Sequence, residues 1–250
     1  PCIEVVALNG RPQFSLSQVN VGSIRSYTTE RYELAKGQTI IPLAPATVAL
    51  RGVTGSRARL ASQESSVQCL SVPDLEFWYE DYLAYLPKFL YTLYLPSLKE
   101  IVGGIIAHGS NITNVLLPSL RRCAGGVARS CRSIQALSLP ALEEVNGGTT
   151  VSDCPNLTEL DLPALRLLSG GTLMSVCNSV TELTFPCLEI IDTKNSTVRS
   201  VVASNCANLS LIDLPCLKIA NTDRARTVFV EGVSAQHIVV NIPRGEEIAA

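Results

Sequence analysis

The chain carries little charge. Asp, Glu, Lys and Arg make up 17% of its 250 residues, and they balance to a formal net charge of -2. So small an excess gives no general pull toward nucleic acid or an anionic membrane. No run of about 18 apolar residues is present, so no direct membrane insertion is expected from this segment. Histidine occurs twice, at His108 and His237, far apart in the chain. No Ser/His/Asp, Cys/His or metal-ligand constellation can be assembled from them, so no catalytic residue, metal or cofactor is assigned. The phosphate-loop pattern G-x-x-x-x-G-K-[ST] is missing. Glu143–Glu144 and Glu246–Glu247 are neighbours in sequence and read as solvated turns, not as acids facing across a cleft. An enzyme is therefore not expected. The start, PCIEVV, has neither an initiator Met nor a signal-peptide pattern, and the end, NIPRGEEIAA, stops inside a unit. The chain reads as processed or as a piece of a longer protein.

What the chain has in quantity is apolar residues, 46% of the total, arranged in a repeat. A proline follows an alternating apolar segment at Pro73, Pro96, Pro118, Pro140, Pro163, Pro186 and Pro215, with a weaker copy at Pro243. The intervals are 23, 22, 22, 23, 23, 29 and 28 residues, and the surrounding text agrees: TLYLPSL, NVLLPSL, ALSLPAL, ELDLPAL, ELTFPCL, LIDLPCL. Apolar residues fall one, three and six positions before each proline, as with Leu162, Leu160 and Leu157. Others fall two and five positions after it, as with Leu165 and Leu168. A spacing of two is strand periodicity. Proline has no N–H to donate and fits where the strand stops pairing. Glycine pairs at Gly103–Gly104, Gly125–Gly126, Gly147–Gly148 and Gly170–Gly171 supply a bend. A unit this short buries its leucines only against its neighbours. The expected fold is an all-β parallel solenoid of about eight rungs, each of 22–29 residues, with little helix. Residues 63–250 form the solenoid. Residues 1–62 do not scan as the repeat and are expected to form an N-terminal β cap, with a hairpin signal at Asn9-Gly10 and a strand candidate in GQTIIPLAPATVAL.

These units resemble the leucine-rich repeats of the BspA type. The resemblance rests on L-x-x-L-x-L-P-x-L-x-x-[IV] with a cysteine nine before the proline. "CPNLTELDLPAL" is also similar to receptor L-domain and fungal cell-wall repeats. Leu173–Met174 and Thr150–Val151 stand where the BspA type carries an Ala-Phe pair. The resemblance implies a surface recognition or adhesion module.

Cysteine is abundant at nine residues, an odd number. Cys131, Cys154, Cys177 and Cys206 each stand nine before a marker proline and so stack as a ladder. Four thiols in a line about 4.8 Å apart cannot converge on one tetrahedral metal, so they read as packing, as does Cys123. Cys187 and Cys216 share the slot directly after the proline on neighbouring rungs, which leaves a disulfide between them open. Glycosylation sequons start at Asn111, Asn156, Asn195 and Asn208. Three of them sit seven before a proline and can be products of the repeat, whereas Asn195 lies in the longer unit. Aromatics concentrate in residues 77–94, read as packing at the cap–repeat junction in preference to a binding patch.

Binding is expected on the outward positions two and four before each proline. The candidate residues are Tyr94, Asn114, Leu116, Glu159, Asp161, Glu182, Thr184 and Asp213, with Thr92, Ala136, Ser138 and Leu211 in the same columns. Glu159, Asp161, Glu182 and Asp213 form an acidic cluster suited to a basic partner, although a solvated charged face is the plainer reading. Two functions remain: an extracellular or cell-surface module that binds protein or glycan, and a cytoplasmic scaffold for protein assembly.

Overall fold

In each Leu-Pro-x-Leu segment the backbone turns back on itself. The N–H of the last residue donates to the carbonyl of the first, as from Leu98 to Leu95 (3.3 Å), Leu165 to Leu162 (3.2 Å) and Leu188 to Phe185 (3.3 Å). Proline takes the second position of this β-turn, where its fixed φ is already correct and its missing N–H costs nothing. A second such turn opens at the ladder cysteines, with Leu157 N–H on the Cys154 carbonyl (3.2 Å) and Leu209 on Cys206 (3.2 Å). The glycine pairs bend the chain at a third corner. At Gly171, with φ of 83°, an added Cβ would lie 2.5 Å from the Gly148 carbonyl oxygen, so adjacent rungs touch backbone to backbone there.

Three corners per rung give three sides of parallel strands, two of them unbroken sheets and the L-x-L side divided into sheets of five, two and three strands. The protein is an all-β solenoid in this computed structural model, which describes residues 2–6, 32–34, 47–51, 53–56, 61, 68–79, 82–109, 111–192, 200–221, 227–232 and 238–243. No helix occurs among them. The first side holds the L-x-L strands, among them Thr92–Tyr94, Asn114–Leu116, Ala136–Ser138, Glu159–Asp161, Glu182–Thr184, Leu211–Asp213 and Val239–Asn241. The second side is a sheet of nine short strands such as Glu100–Ile101 and Leu167–Leu168. The third is a sheet of seven, including Tyr82–Tyr85, Ile105–His108, Gly126–Arg129, Thr149–Ser152, Gly171–Ser175, Ser200–Ser204 and Thr227–Glu231. Register is kept from rung to rung: Thr92 pairs with Asn114, Arg122 with Glu144, and Thr149 with Thr172.

The inward positions form one continuous core. Leu157, Leu160, Leu162, Leu165 and Leu168 of a single rung are all buried, and the corresponding residues of the rungs on either side lie above and below them. A fully buried aliphatic side chain contributes about 1.5–3 kcal/mol, so the stack holds only because each rung is covered on both faces.

The strands near the N-terminus pair into the same sheets. Cys2–Val6 runs parallel to Thr47–Arg51, and Thr47–Arg51 to Cys69–Ser71. On the second side, Tyr32–Leu34 pairs with Val53–Ser56. The first of the two runs flanking Asn9-Gly10 joins the stack by parallel pairing; the Asn9-Gly10 turn and the second run lie outside the described residues. Part of the GQTIIPLAPATVAL segment lies in Thr47–Arg51. Pairing uses backbone groups alone, so strands can join a stack without the leucine motif.

Candidate functional site

The first side brings the predicted columns together. In its strands from Cys69–Ser71 to Leu211–Asp213 the middle residue is buried and the flanking two point outward: Thr92 and Tyr94 about Leu93, Asn114 and Leu116 about Val115, Glu182 and Thr184 about Leu183. Tyr94 is registered with Leu116, and Thr184 with Asp213. Along this side the chemistry changes. The rungs of Thr92–Tyr94 and Asn114–Leu116 show apolar groups: Tyr94 and Leu116 on the face, with Phe89 and Tyr91 just before it, are between 41% and 48% exposed. Junction packing therefore does not account for residues 77–94 as a group. Trp78 is fully buried because it fills the core slot five after Pro73, but Phe89, Tyr91 and Tyr94 face solvent.

Further along, the face is acidic. Asp161 accepts a hydrogen bond from Ser138 Oγ at 2.8 Å. Glu159 and Glu182 are exposed and Asp213 half-buried, and none of the three has an ion-pair partner among the described residues. On the second side two carboxylates are paired, while Glu100, Glu143 and Glu144 have no ion-pair partner among the described residues. There Lys99 pairs with Glu76 (3.1 Å), and Glu189 lies between Arg166 (3.3 Å) and Lys218 (3.4 Å). The Arg166 hydrogen bond holds the Glu189 carboxyl below its ordinary range.

The third side carries a feature that the leucine motif does not announce. An open groove of about 530 Å³ runs over the glycine corner, lined by Gly104, Gly125, Arg129, Thr149, Ser152, Asp153, Ser175 and Val176 among others. At the adjoining corner each of several rungs places a residue in the left-handed region: Leu86, Ser130, Asp153, Val176 and Asn205, with φ between 48° and 59°. Val176 is β-branched and strained there. Beside the groove, His108 packs against both Tyr82 and Tyr85, with ring centroids 5.0 and 5.1 Å away. Its Nδ1 is buried without a partner. Burial, then the Arg129 charge, lowers its pKa. A polar residue ending each third-side strand, as in IIAH, GVAR and TTVS, is the sequence signal that could have located this surface.

The ladder thiols are buried and free. Cys154, Cys177 and Cys206 donate to the carbonyls of Ser152 (3.3 Å), Ser175 (3.4 Å) and Ser204 (3.3 Å). The hydrogen bond to Cys131 pushes Cys154 up to about 12, and burial does the same to Cys123. Cys123 and Cys154 hold their protons at neutral pH, whereas the hydrogen bond with Cys154 lowers the Cys131 thiol. Cys187 and Cys216 are exposed free thiols.

Three sequon asparagines have a structural duty. The side-chain amide of Asn156 donates to the Arg132 carbonyl of the preceding rung (2.7 Å), that of Asn208 to Asn178 (2.7 Å), and that of Asn111 to Lys88. Asn195, His237, Glu246 and Glu247 lie outside the described residues. Among those residues, no group of three or more His, Cys, Asp or Glu is placed to hold a metal ion, and no helix is long and apolar enough to cross a membrane.

No protein-family model matches the chain, and no curated protein does. Among solved structures it is similar to a leucine-rich cell surface protein from Faecalibacterium prausnitzii A2-165, at 10% identity and a TM-score of 0.22. That match covers 83% of this chain and 84% of the other.

Proposed function

We propose that the chain is a non-enzymatic recognition module of the leucine-rich-repeat kind, working at the cell surface or outside the cell and binding a protein through its first side. One observation carries the reading: Glu159, Glu182 and Asp213 gather on that side with no ion-pair partner among the described residues. A face left uncompensated is complementary to a basic surface, and the exposed Tyr94 and Leu116 give the partner an apolar anchor beside it. A glycan ligand is the rival occupant of the same face. The test is the double reversal Glu159→Lys/Glu182→Lys, assayed against a lysine-rich peptide carrying one aromatic residue and against an array of neutral glycans. Loss of peptide binding, at least tenfold and steeper at low salt, is the expected result. Unchanged peptide binding, or binding confined to the glycans, contradicts it.

The cytoplasmic-scaffold reading draws on the buried ladder thiols, which are free and need no oxidising compartment. Endoglycosidase treatment of the native protein separates the two. A mass shift supports the surface module, and no shift favours the scaffold.

A further inference from the structure

The position after the marker proline is the third residue of the β-turn, and its side chain projects from the corner between the first and second sides. Down this column the residues are small: Asp74, Ser97, Ser119, Ala141, Ala164, Cys187 and Cys216. The last two are cysteines on adjacent rungs, both exposed, both free, and outside the core that accounts for the ladder thiols.

Their mutual position is fixed on both flanks. On the first side Thr184 is registered with Asp213, and on the second Ile190 with Ile219. Both offsets are 29 (213 − 184 and 219 − 190), the same as that between Cys187 and Cys216 (216 − 187). The two turns are clamped together by Phe185 N–H on the Asp213 carbonyl (3.0 Å) and by Lys218 N–H on the Glu189 carbonyl (2.8 Å). Registered residues of parallel rungs lie about 4.8 Å apart at Cα, inside the range of about 4.4–6.8 Å that a disulfide spans. An exposed turn residue can rotate about χ1 to bring its sulfur toward its neighbour. A ladder cysteine cannot, because it is packed on every side.

We propose that Cys187 and Cys216 form a redox-active dithiol that closes into a cross-rung disulfide on reaction with a small-molecule disulfide, stapling adjacent rungs across the 29-residue unit. One protein thiolate attacks a sulfur of the small disulfide, forming a mixed disulfide and releasing one small thiolate. The second protein thiolate then attacks the protein-side sulfur of that bond, forming the Cys187–Cys216 S–S bond and releasing the other. The two protein thiol protons pass to the departing thiolates. The protein loses two electrons, and the small disulfide gains them. The staple ties together the two rungs on either side of the longest unit.

The test uses the full chain equilibrated with mixtures of reduced and oxidised glutathione, followed by alkylation of the remaining thiols and peptide mapping. The expected product is a cross-linked peptide pair containing Cys187 and Cys216, lighter by two hydrogens, formed without loss of the sheet signal in circular dichroism. The oxidised protein is expected to melt several degrees above the reduced one, with that gain absent from Cys187→Ser and from Cys216→Ser, which accumulate a single glutathione adduct instead. Two glutathione adducts on one molecule with no cross-link, or a cross-link to any other cysteine, overturns the pairing. A Cys187–Cys216 cross-link that leaves Tm unchanged overturns the stapling role.

Discussion

Thr150 is a hydroxyl in a column of hydrocarbon. It is fully buried on the third side, and the rung pairing sets it beside Val127 of one neighbour and Leu173 of the other, both buried as well. The Cys123 thiol gives its proton to the Gly125 carbonyl (3.2 Å), and Thr150 Oγ1 makes no hydrogen bond of full geometry, meeting only the Cys123 sulfur, a weak acceptor. A buried polar group without a partner costs about 1–3 kcal/mol, because it gives up water and receives nothing in return. Thr150→Val exchanges that hydroxyl for a methyl of nearly the same size at a site whose shape already suits valine. The variant is expected to gain about 1–2 kcal/mol. For a chain of this length that is roughly 2–8 °C in Tm, at about 2–4 °C per kcal/mol. Urea unfolding followed by circular dichroism should show a higher midpoint with an unchanged slope. Thr150→Ser provides the control: it keeps the hydroxyl, loses a buried methyl, and should lose about 1 kcal/mol. If Thr150→Val is neutral or destabilising, the Cys123 sulfur satisfies the hydroxyl, and the reasoning fails.

Two further perturbations test the third side. Val176→Asn should stabilise by about 0.5–1 kcal/mol, since asparagine tolerates the left-handed conformation that a β-branched residue resists, and Asn205 already holds that corner one rung on with φ of 52°. A lower Tm would show that the valine's packing outweighs its strain. The lowered pKa of His108 means that the folded state favours the neutral ring. Its contribution to stability is therefore present above the unfolded value of about 6.5 and is lost as pH falls through the folded one. Tm should fall between pH 7 and pH 5 more steeply in the wild type than in His108→Gln, and parallel curves would contradict the assignment.

The first side was legible in the sequence because burial demands the same side chain at the same place in every rung. Leu93, Val115, Leu137, Leu160, Leu183 and Ile212 occupy one column for one reason, and the outward columns followed by alternation. The second and third sides were less legible. A two-residue strand such as Glu100–Ile101 shows no alternation, and the strands after the glycine pairs bury their two middle residues together. The left-handed corner left no mark either, since Leu86, Ser130, Asp153, Val176 and Asn205 share no chemistry. What recurs there is a backbone hydrogen bond, such as Asp153 N–H to the Ser175 carbonyl (3.0 Å), which many side chains permit. The aromatic segment misled for a related reason: Trp78 is fixed by its core slot, while Tyr94 belongs to a column the repeat leaves free. The N-terminal strands join by backbone pairing without the motif, so the motif could not reveal them.

The central claim is that the uncompensated carboxylates of the first side receive a basic partner. Carboxyl footprinting reads it directly: the native chain is modified with a water-soluble carbodiimide and an amine, with and without the lysine-rich peptide, and each acid is quantified by mass spectrometry. Bound peptide is expected to slow modification of Glu159, Asp161, Glu182 and Asp213 severalfold and to leave Glu143 and Glu144 of the second side unchanged. Equal protection on both sides, or none on the first while the peptide is bound, would contradict that claim.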